Sequence, residues 1–303
     1  MSGTEGRGER WLEASGVAAQ DWPAGALYVV ATPIGNAADF TLRALWLLAL
    51  ADAVFAEDTR VTGALLERYG LRPPALVAAH EHNEQAAAAA IVARLRAGER
   101  VALVSDAGTP AVSDPGARIV RAVRAAGLRV IALPGASGLL AALAASGLAD
   151  DGFAFLGFAP TSARRRTQFL RAAAARGEAF ALFEAPHRIA ATALALAQAL
   201  APARNVAVAR ELTKKFEAVD VVAAAELPAF IARQPQRGEY VLVIAADPDA
   251  AAASAAVDEN TRRWLAALAE VLPASQAAAA AARATGLPRE VLYAATRALR
   301  GGD

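Results

Sequence analysis

Three corners of the chain gather residue types suited to gripping a small polar ligand. In the first, the apolar run 27–31 passes into Thr32-Pro33-Ile34-Gly35-Asn36. In the second, the run 101–104 passes into Ser105-Asp106-Ala107-Gly108-Thr109-Pro110, and in the third the run 130–133 passes into Pro134-Gly135-Ala136-Ser137-Gly138. Glycine has no side chain, so backbone groups at such corners can touch a ligand directly. The Asp106 carboxylate adds a grip for a polar or cationic group. A further strand end, 53–56, carries Glu57-Asp58-Thr59-Arg60: two carboxylates, a hydroxyl and a guanidinium. A helix cap by Asp58 or Thr59 accounts for part of that set only. Ser113 or Asp114 is expected to cap a following helix, with Pro115 in its first turn. Phe183-Glu184-Ala185-Pro186-His187-Arg188 repeats the sequence of strand, proline turn and polar cluster, and Arg210-Glu211-Leu212-Thr213-Lys214-Lys215 leaves a strand with alternating charge.

These corners need elements to hold them. Apolar runs at 27–31, 53–56, 101–104 and 129–133 read as strands, with a weaker one near 75–79. Helical stretches fall near 39–50, 60–69, 83–97, 114–126 and 137–146, with Asp39 and Thr41 opening the first and His82-Asn83-Glu84 the third. The alternation argues for a mostly parallel sheet with helices on both faces. Ligands bind such sheets at the carboxyl ends of the strands. A second α/β unit follows a hinge at 148–152, with strands at 153–158, 180–184, 205–210, 219–223 and 240–245 and helices at 162–176, 187–201 and 225–233. Its last strands are too closely joined for helical crossovers throughout, so part of this sheet is expected to be antiparallel. The expected domains are a flexible tail over 1–24, an α/β domain over 25–148, a second over 149–247, an alanine-rich linker over 246–257, and a small helical domain over 258–303 with a turn at Gly286-Leu287-Pro288.

Several chemistries are excluded or disfavoured. The 303 residues contain no cysteine, which removes disulfides, Cys–zinc sites and Cys nucleophiles. The three histidines, His80, His82 and His187, are too few and too scattered for a zinc site, so no metal is expected. No P-loop, dinucleotide fingerprint or nucleophile elbow is present. The longest uncharged run, 130–149, is broken by Pro134, Gly135 and Gly138, so no membrane span is expected. The first ten residues are polar and charged, without an apolar signal core, and a cytoplasmic protein fits. With a net charge of +1 the whole chain is not a generic polyanion binder. Local charge differs: Arg164, Arg165, Arg166, Arg171 and Arg176 cluster, as a nucleic-acid edge or as a solvated helix face. The only two lysines, Lys214 and Lys215, are adjacent. Either composition explains them, or the position needs a compact ammonium rather than a guanidinium fork.

The ordered set Thr32-Pro33-Ile34-Gly35-Asn36, Glu57-Asp58-Thr59-Arg60, His82-Asn83-Glu84, Ser105 to Pro110, Pro186-His187-Arg188 and Arg210 to Lys214 resembles the tetrapyrrole-methylase-like (class III) S-adenosylmethionine-dependent methyltransferases. Within them it resembles the ribosomal RNA small subunit methyltransferase I branch. The match runs from about Leu27 to Ala245, and the C-terminal helices are similar to that branch's helical tail. The chain departs from the pattern at Val61, where His is common, and at Phe183 and Ala185, where Tyr and Ser are common. Ala274 to Ala284 is also nearly uncharged where the family's tail can be basic.

The resemblance implies an α/β fold: two α/β domains, the first mostly parallel and the second mixed, with the cofactor in a cleft between them, plus a small helical domain. It implies a homodimer, S-adenosyl-L-methionine as cofactor, and 2′-O-methylation of a cytidine in the decoding centre of 16S ribosomal RNA of the small subunit. It places Thr32, Pro33, Ile34, Gly35, Asp106, Gly108, Thr109, Val112, Ser113, Phe183, Glu184, Leu212 and Thr213 around the cofactor. Glu184 or Asp106 is expected to accept the hydroxyl proton, with Lys214 assisting. Arg60, Arg164, Arg165, Arg166, His187, Arg188 and Lys214 are expected to face RNA. A methylase of the same fold acting on a tetrapyrrole is the alternative, and a non-catalytic ribosome-assembly factor is an alternative of another class.

Overall fold

The computed structural model describes residues 7–235, 237–247 and 258–300. The chain forms two compact units, Met1–Ala145 with Ala209–Val219, and Ser146–Val208 with Asp220–Asp303.

The first unit is built on a parallel sheet of β1 (Ala26–Val30), β2 (Ala53–Ala56), β3 (Leu76–Ala78), β4 (Val101–Val104) and β5 (Arg129–Leu133), in the order β3-β2-β4-β1-β5. Its central strands are apolar throughout because both faces are covered. Tyr28, Val30, Val54 and Val104 point to one core, which takes Leu47 and Leu48 of α2 (Leu42–Leu50) and Leu66 of α3 (Thr59–Arg68). Leu27, Phe55, Val101 and Leu103 point to the other, against Ile91 and Leu95 of α4 (Glu84–Arg96) and Ile119 and Val123 of α5 (Ala117–Ala125). Helix α6 (Gly138–Ser146) follows β5.

The stretch expected as a flexible tail is structured from Arg7 onward. Helix α1 spans Arg7–Ser15, and Leu12, Val17 and Trp22 pack on the first core. Trp22 Nε1 donates to Val17 O at 3.1 Å, and the Arg43 guanidinium lies 5.6 Å from the Trp22 ring centre. Three apolar side chains in a polar segment are enough to dock it.

The second unit has the mixed sheet expected of it. Strands β6 (Phe153–Phe158), β7 (Ala179–Glu184), β8 (Asn205–Arg210), β9 (Ala218–Ala223) and β10 (Tyr240–Ile244) lie in the order β6-β7-β10-β8-β9. β6 pairs with β7 in parallel, and β7 with β10 antiparallel. Leu170 of α7 (Ala163–Ala174), Ile189 and Leu196 of α8 (Ile189–Ala199) and Ile231 of α9 (Leu227–Ala232) cover it. Three helices complete the unit: α10 (Glu259–Val271), α11 (Ala274–Thr285) and α12 (Arg289–Arg300), with Leu265, Ala278, Ala281 and Leu292 as their core. The alanine-rich α11 buries Ala277, Ala278 and Ala281, which explains its lack of charge by packing. The expected linker lies outside the described residues from 248 to 257.

Candidate functional site

The order of the first sheet fixes where a ligand can enter. From β1 the chain crosses to β2 on one side, and from β4 it crosses to β5 on the other. The carboxyl ends of the neighbours β1 and β4 therefore bound a topological switch point, where outgoing loops diverge and leave a crevice. Two of the three corners meet here. Thr32 N donates to Gly108 O and Gly108 N to Thr32 O, both at 2.9 Å. The Thr32 hydroxyl donates to Ser105 O at 3.0 Å, and the Ser105 hydroxyl to Gly108 O at 3.2 Å. The third corner is tied in by the Thr109 hydroxyl, which donates to Ala136 O at 3.1 Å. Gly135 leaves no room for a side chain: a Cβ there would lie 2.7 Å from Ala31 Cβ.

Segment 209–219 of the same unit completes the rim. Asn36 N donates to the Thr213 hydroxyl at 3.2 Å. The aliphatic stem of Lys214 lies across Gly35, where a Cβ would come within 2.6 Å of Lys214 Cγ and Cε. Lys214 Nζ is held by Glu211 Oε1 at 3.0 Å. Among the described residues, the non-glycine positions with positive φ are Ala111, Ser113, Glu211 and Thr213. All four lie on the loops that follow β4 and β8. Each such conformation costs about 1–3 kcal/mol, and such strain concentrates where backbone groups must face a ligand.

On the far side of β4, the end of β2 brings in carboxylates. Asp58 N donates to Asp106 Oδ1 at 3.0 Å, joining the two loops. Asp58 caps α3 through Arg60 N at 2.8 Å, and Arg60 holds its carboxyl well below the usual range through a side-chain hydrogen bond. Glu57 is shifted the other way, raised first by burial and then by the Asp106 carboxylate.

Ser113 or Asp114 is the expected cap of the next helix and Pro115 is expected in its first turn, but α5 begins at Ala117 and its N-cap residue is Gly116. The cap instead comes from Glu84 at the start of α4, a buried carboxylate whose Oε1 accepts from Gly116 N at 2.8 Å and Arg118 N at 3.2 Å. Gly116 (φ 131°) is the residue before α5, and its Cβ would sit 3.1 Å from Leu103. Glu84 lies 32 positions away in the chain, and no local pattern signals it.

In the second unit three expected roles are corrected. Glu184 is not poised as a base. Its side chain is fully buried, accepts from Thr192 Oγ1 at 2.6 Å and Ala185 N at 2.9 Å, and pairs with Arg188 Nε at 3.1 Å. Arg188 is committed to that carboxylate and to Ala159 O, which leaves little of it for phosphate. Arg166 folds back onto Thr161 O at 3.2 Å and is buried. Arg164, Arg165, Arg171 and His187 are exposed, and Phe183 is half-buried with its ring 5.0 Å from that of Phe155. In the first unit Arg60 is exposed, Val112 is 38% exposed and Leu212 is buried.

Residues 26–228 match the family described as Tetrapyrrole (Corrin/Porphyrin) Methylases, and residues 254–300 match the RsmI C-terminal HTH domain. A ribosomal RNA small subunit methyltransferase I of Mesorhizobium japonicum is 46% identical over 88% of this chain and 90% of its own length. The protein of that name from Xylella fastidiosa is 45% identical over 89% of this chain and 98% of its own. The chain belongs to the ribosomal RNA small subunit methyltransferase I family, within the tetrapyrrole methylases. A solved structure of the methyltransferase CobJ superposes with TM-score 0.57 at 22% identity, covering 74% of this chain and 95% of that one, which shows the fold.

S-adenosyl-L-methionine is the methyl donor of the family. The switch-point corners fit it: the crevice is lined by backbone at Gly35, Gly108 and Gly135, and Asp106 supplies a carboxylate beside it. Among the described residues no group of three His, Cys, Asp or Glu side chains could hold a metal, and no helix is long and apolar enough to cross a membrane.

A test of the rim follows from Gly35. Gly35→Ala is expected to push the Lys214 stem aside and to slow methyl transfer by about tenfold. Lys214→Ala in that background is expected to add little, because the two residues share one contact and couple by about 0.5–3 kcal/mol. Rates for the two single variants and the double variant check this. Simple additivity would show that Lys214 and Gly35 act separately.

Proposed function

We propose that this protein transfers a methyl group to the ribose 2′-oxygen of a cytidine in the decoding centre of 16S ribosomal RNA, within the small ribosomal subunit. The observation that carries this reading is the likeness, over 88% of the chain at 46% identity, to a protein named for small-subunit ribosomal RNA methylation. S-adenosyl-L-methionine, when bound, supplies a methyl group activated by a sulfonium. The residues that would hold it from the first unit are Thr32, Pro33, Ile34, Gly35, Asp106, Gly108, Thr109, Val112, Ser113, Leu212 and Thr213. Asp106 favours a cationic ligand by charge, and orientation by the corners supplies much of the rate. In this reading Lys214, whose Nζ donates to Glu211 Oε1, holds a phosphate or the ribose. Arg60, paired with Asp58 but with its side chain 90% exposed, keeps donors for the same use. The cytoplasm is where such a substrate is met. A homodimer belongs to this reading, supported by the edge position of β5 among the described residues and by Leu140 on the following helix, which is 58% exposed.

Labelled methyl transfer from S-adenosyl-L-methionine to small subunits lacking the modification tests the reading, with naked RNA and a free tetrapyrrole alongside. Label mapped to a ribose 2′-oxygen supports it; label on the tetrapyrrole alone, or none despite cofactor binding, overturns it.

The exposed arginines of α7 give a second test. Arg164 and Arg171 are seven residues apart and so share a helix face, with Arg165 beside them. Replacing all three with alanine is expected to flatten the slope of log affinity against log salt by about 2, at roughly 0.7 per lost single-strand phosphate contact. An unchanged slope assigns them to a solvated face. Arg166 is left out because it is buried.

A further inference from the structure

The loop 211–217 joins β8 to β9 and carries both lysines of the chain, Lys214 and Lys215. The Lys214 stem lies across Gly35, and its Nζ donates to Glu211 Oε1. Lys215 takes no part in that contact. Its Nζ lies over the ring of Phe216, 5.6 Å from the ring centre, and both residues are exposed. Phe216 itself is 65% exposed.

An exposed aromatic alone is ordinary on a protein surface. Trp11 on α1, Phe153 and Phe158 on β6, Trp264 on α10 and Tyr293 on α12 are exposed as well. Phe216 differs from these in position, support and charge. Its loop is bonded to the first corner of the crevice. Thr213, three residues before it, accepts from Asn36 N at 3.2 Å, and Lys214, two before it, lies against Gly35. Consecutive Cα atoms are 3.8 Å apart, so the Phe216 Cα is within about 7.6 Å of that of Lys214. The loop is also held from inside. Lys214 N donates to Glu211 O at 3.0 Å, Glu217 N to Lys214 O at 3.1 Å, and Thr213 N to the Glu217 carboxylate. The ring is therefore presented to water by a fixed turn at the rim, with a cation over it. Single-stranded nucleic acid meets such a pair with its own two groups, a base on the ring and a phosphate near the ammonium. We propose that Phe216, with Lys215 beside it, is a stacking platform for an unpaired RNA base next to the methylated ribose, an inference that rests on the RNA-methylation reading above.

A base splayed out of its strand so that its ribose can enter a crevice loses its stacking neighbours, and an aromatic side chain at the rim offsets that loss. Every base has a π face, so the platform fixes position and adds affinity without choosing the base. The same geometry gives a reason for lysine in a chain whose other basic side chains, histidine aside, are all arginine. A guanidinium is planar and stacks on aromatic rings, so at position 215 it would cover the surface that the base needs. An ammonium is compact, attracts a phosphate as a point charge and leaves ring surface open.

The test uses the full chain, labelled S-adenosyl-L-methionine at saturation and unmodified small subunits at varied concentration. Phe216→Ala is expected to raise the KM for subunits at least about fivefold, the loss of one base–aromatic stack, with the effect on KM rather than kcat because ground-state binding is lost. Phe216→Leu keeps apolar bulk without a π face and is expected to match the alanine variant, whereas Phe216→Trp is expected to keep the wild-type KM or lower it. Lys215→Arg preserves the charge and is expected to raise KM about 2- to 5-fold, the size of an exposed cation–π contact that the base must displace. Melting temperature and calorimetric affinity for the cofactor are expected to stay at wild-type values in all four variants, which separates lost stacking from damage to the rim. A photoreactive phenylalanine analogue at position 216 is expected to crosslink to subunit RNA at the methylated nucleotide or its neighbour. Equal KM values for wild type and Phe216→Ala overturn the inference, as does a leucine variant with the wild-type KM. So does a crosslink to a second copy of this chain, which would make the ring a dimer contact. A wild-type protein that labels a free tetrapyrrole and no subunit overturns the RNA reading itself, whereas an indifferent Phe216→Ala beside an active wild type removes this inference alone.

Discussion

Glu184→Ala is expected to lower the stability of the second unit by about 3–5 kcal/mol, the cost of removing one partner from a buried ion pair. The carboxylate is fully enclosed, and its loss strands Arg188, whose side chain is only 18% exposed, and the Thr192 hydroxyl. A fall in melting temperature on the order of 10 °C follows for a chain of this size. Glu184→Gln keeps an acceptor for Thr192 and is expected to lose less. Scanning calorimetry beside single-turnover rates separates this from a catalytic role. A stable Glu184→Ala protein that no longer transfers methyl would mean that the carboxylate acts on substrate after all.

Glu84→Ala is expected to have the second largest effect. The side chain is 8% exposed and answers two backbone donors at the start of α5, and each buried donor left without a partner costs about 1–3 kcal/mol. The anion also meets the positive end of the helix dipole. Because α5 begins where the Asp106-to-Pro115 loop ends, affinity for S-adenosyl-L-methionine is expected to weaken along with thermal stability. Calorimetric titration of cofactor checks it. Intact affinity in a destabilised variant would show that the loop holds its shape without this cap.

The first sheet was legible because its strands are short, apolar and bounded by Gly and Pro. β2, β4 and β5 begin and end where the pattern places them, and β1 begins and ends one residue earlier. The half-buried β3 carried a weak signal because only three residues pair there. The corners were legible for a related reason: Thr32, Gly108 and Gly135 come two, four and two residues after those strands. Long-range polar bonds were not. Nothing near Arg166 or Arg188 distinguishes a guanidinium folded onto carbonyls from one facing water, since both choices leave the same helical spacing. Local sequence marks Glu84 only as a helix start, because its partners come from a different βα unit. Glu184 looked available because a carboxylate at a strand end is exposed unless something distant covers it, and Thr192 and Ala159 supply the cover around it and Arg188.

The first unit is assembled from two separate stretches of chain, 1–145 and 209–219. This orders events during translation. When the first stretch has left the ribosome its sheet can pair, but Gly35 still lacks the Lys214 stem, and Asn36 N still lacks the Thr213 hydroxyl. The rim closes only after Thr213 and Lys214 have been made, by which time β6, β7 and β8 have been synthesised. A nascent fragment can therefore resemble the finished unit in its sheet and still be unable to close the crevice. Cutting the gene at 146–152 yields two products, neither of which encodes the whole rim.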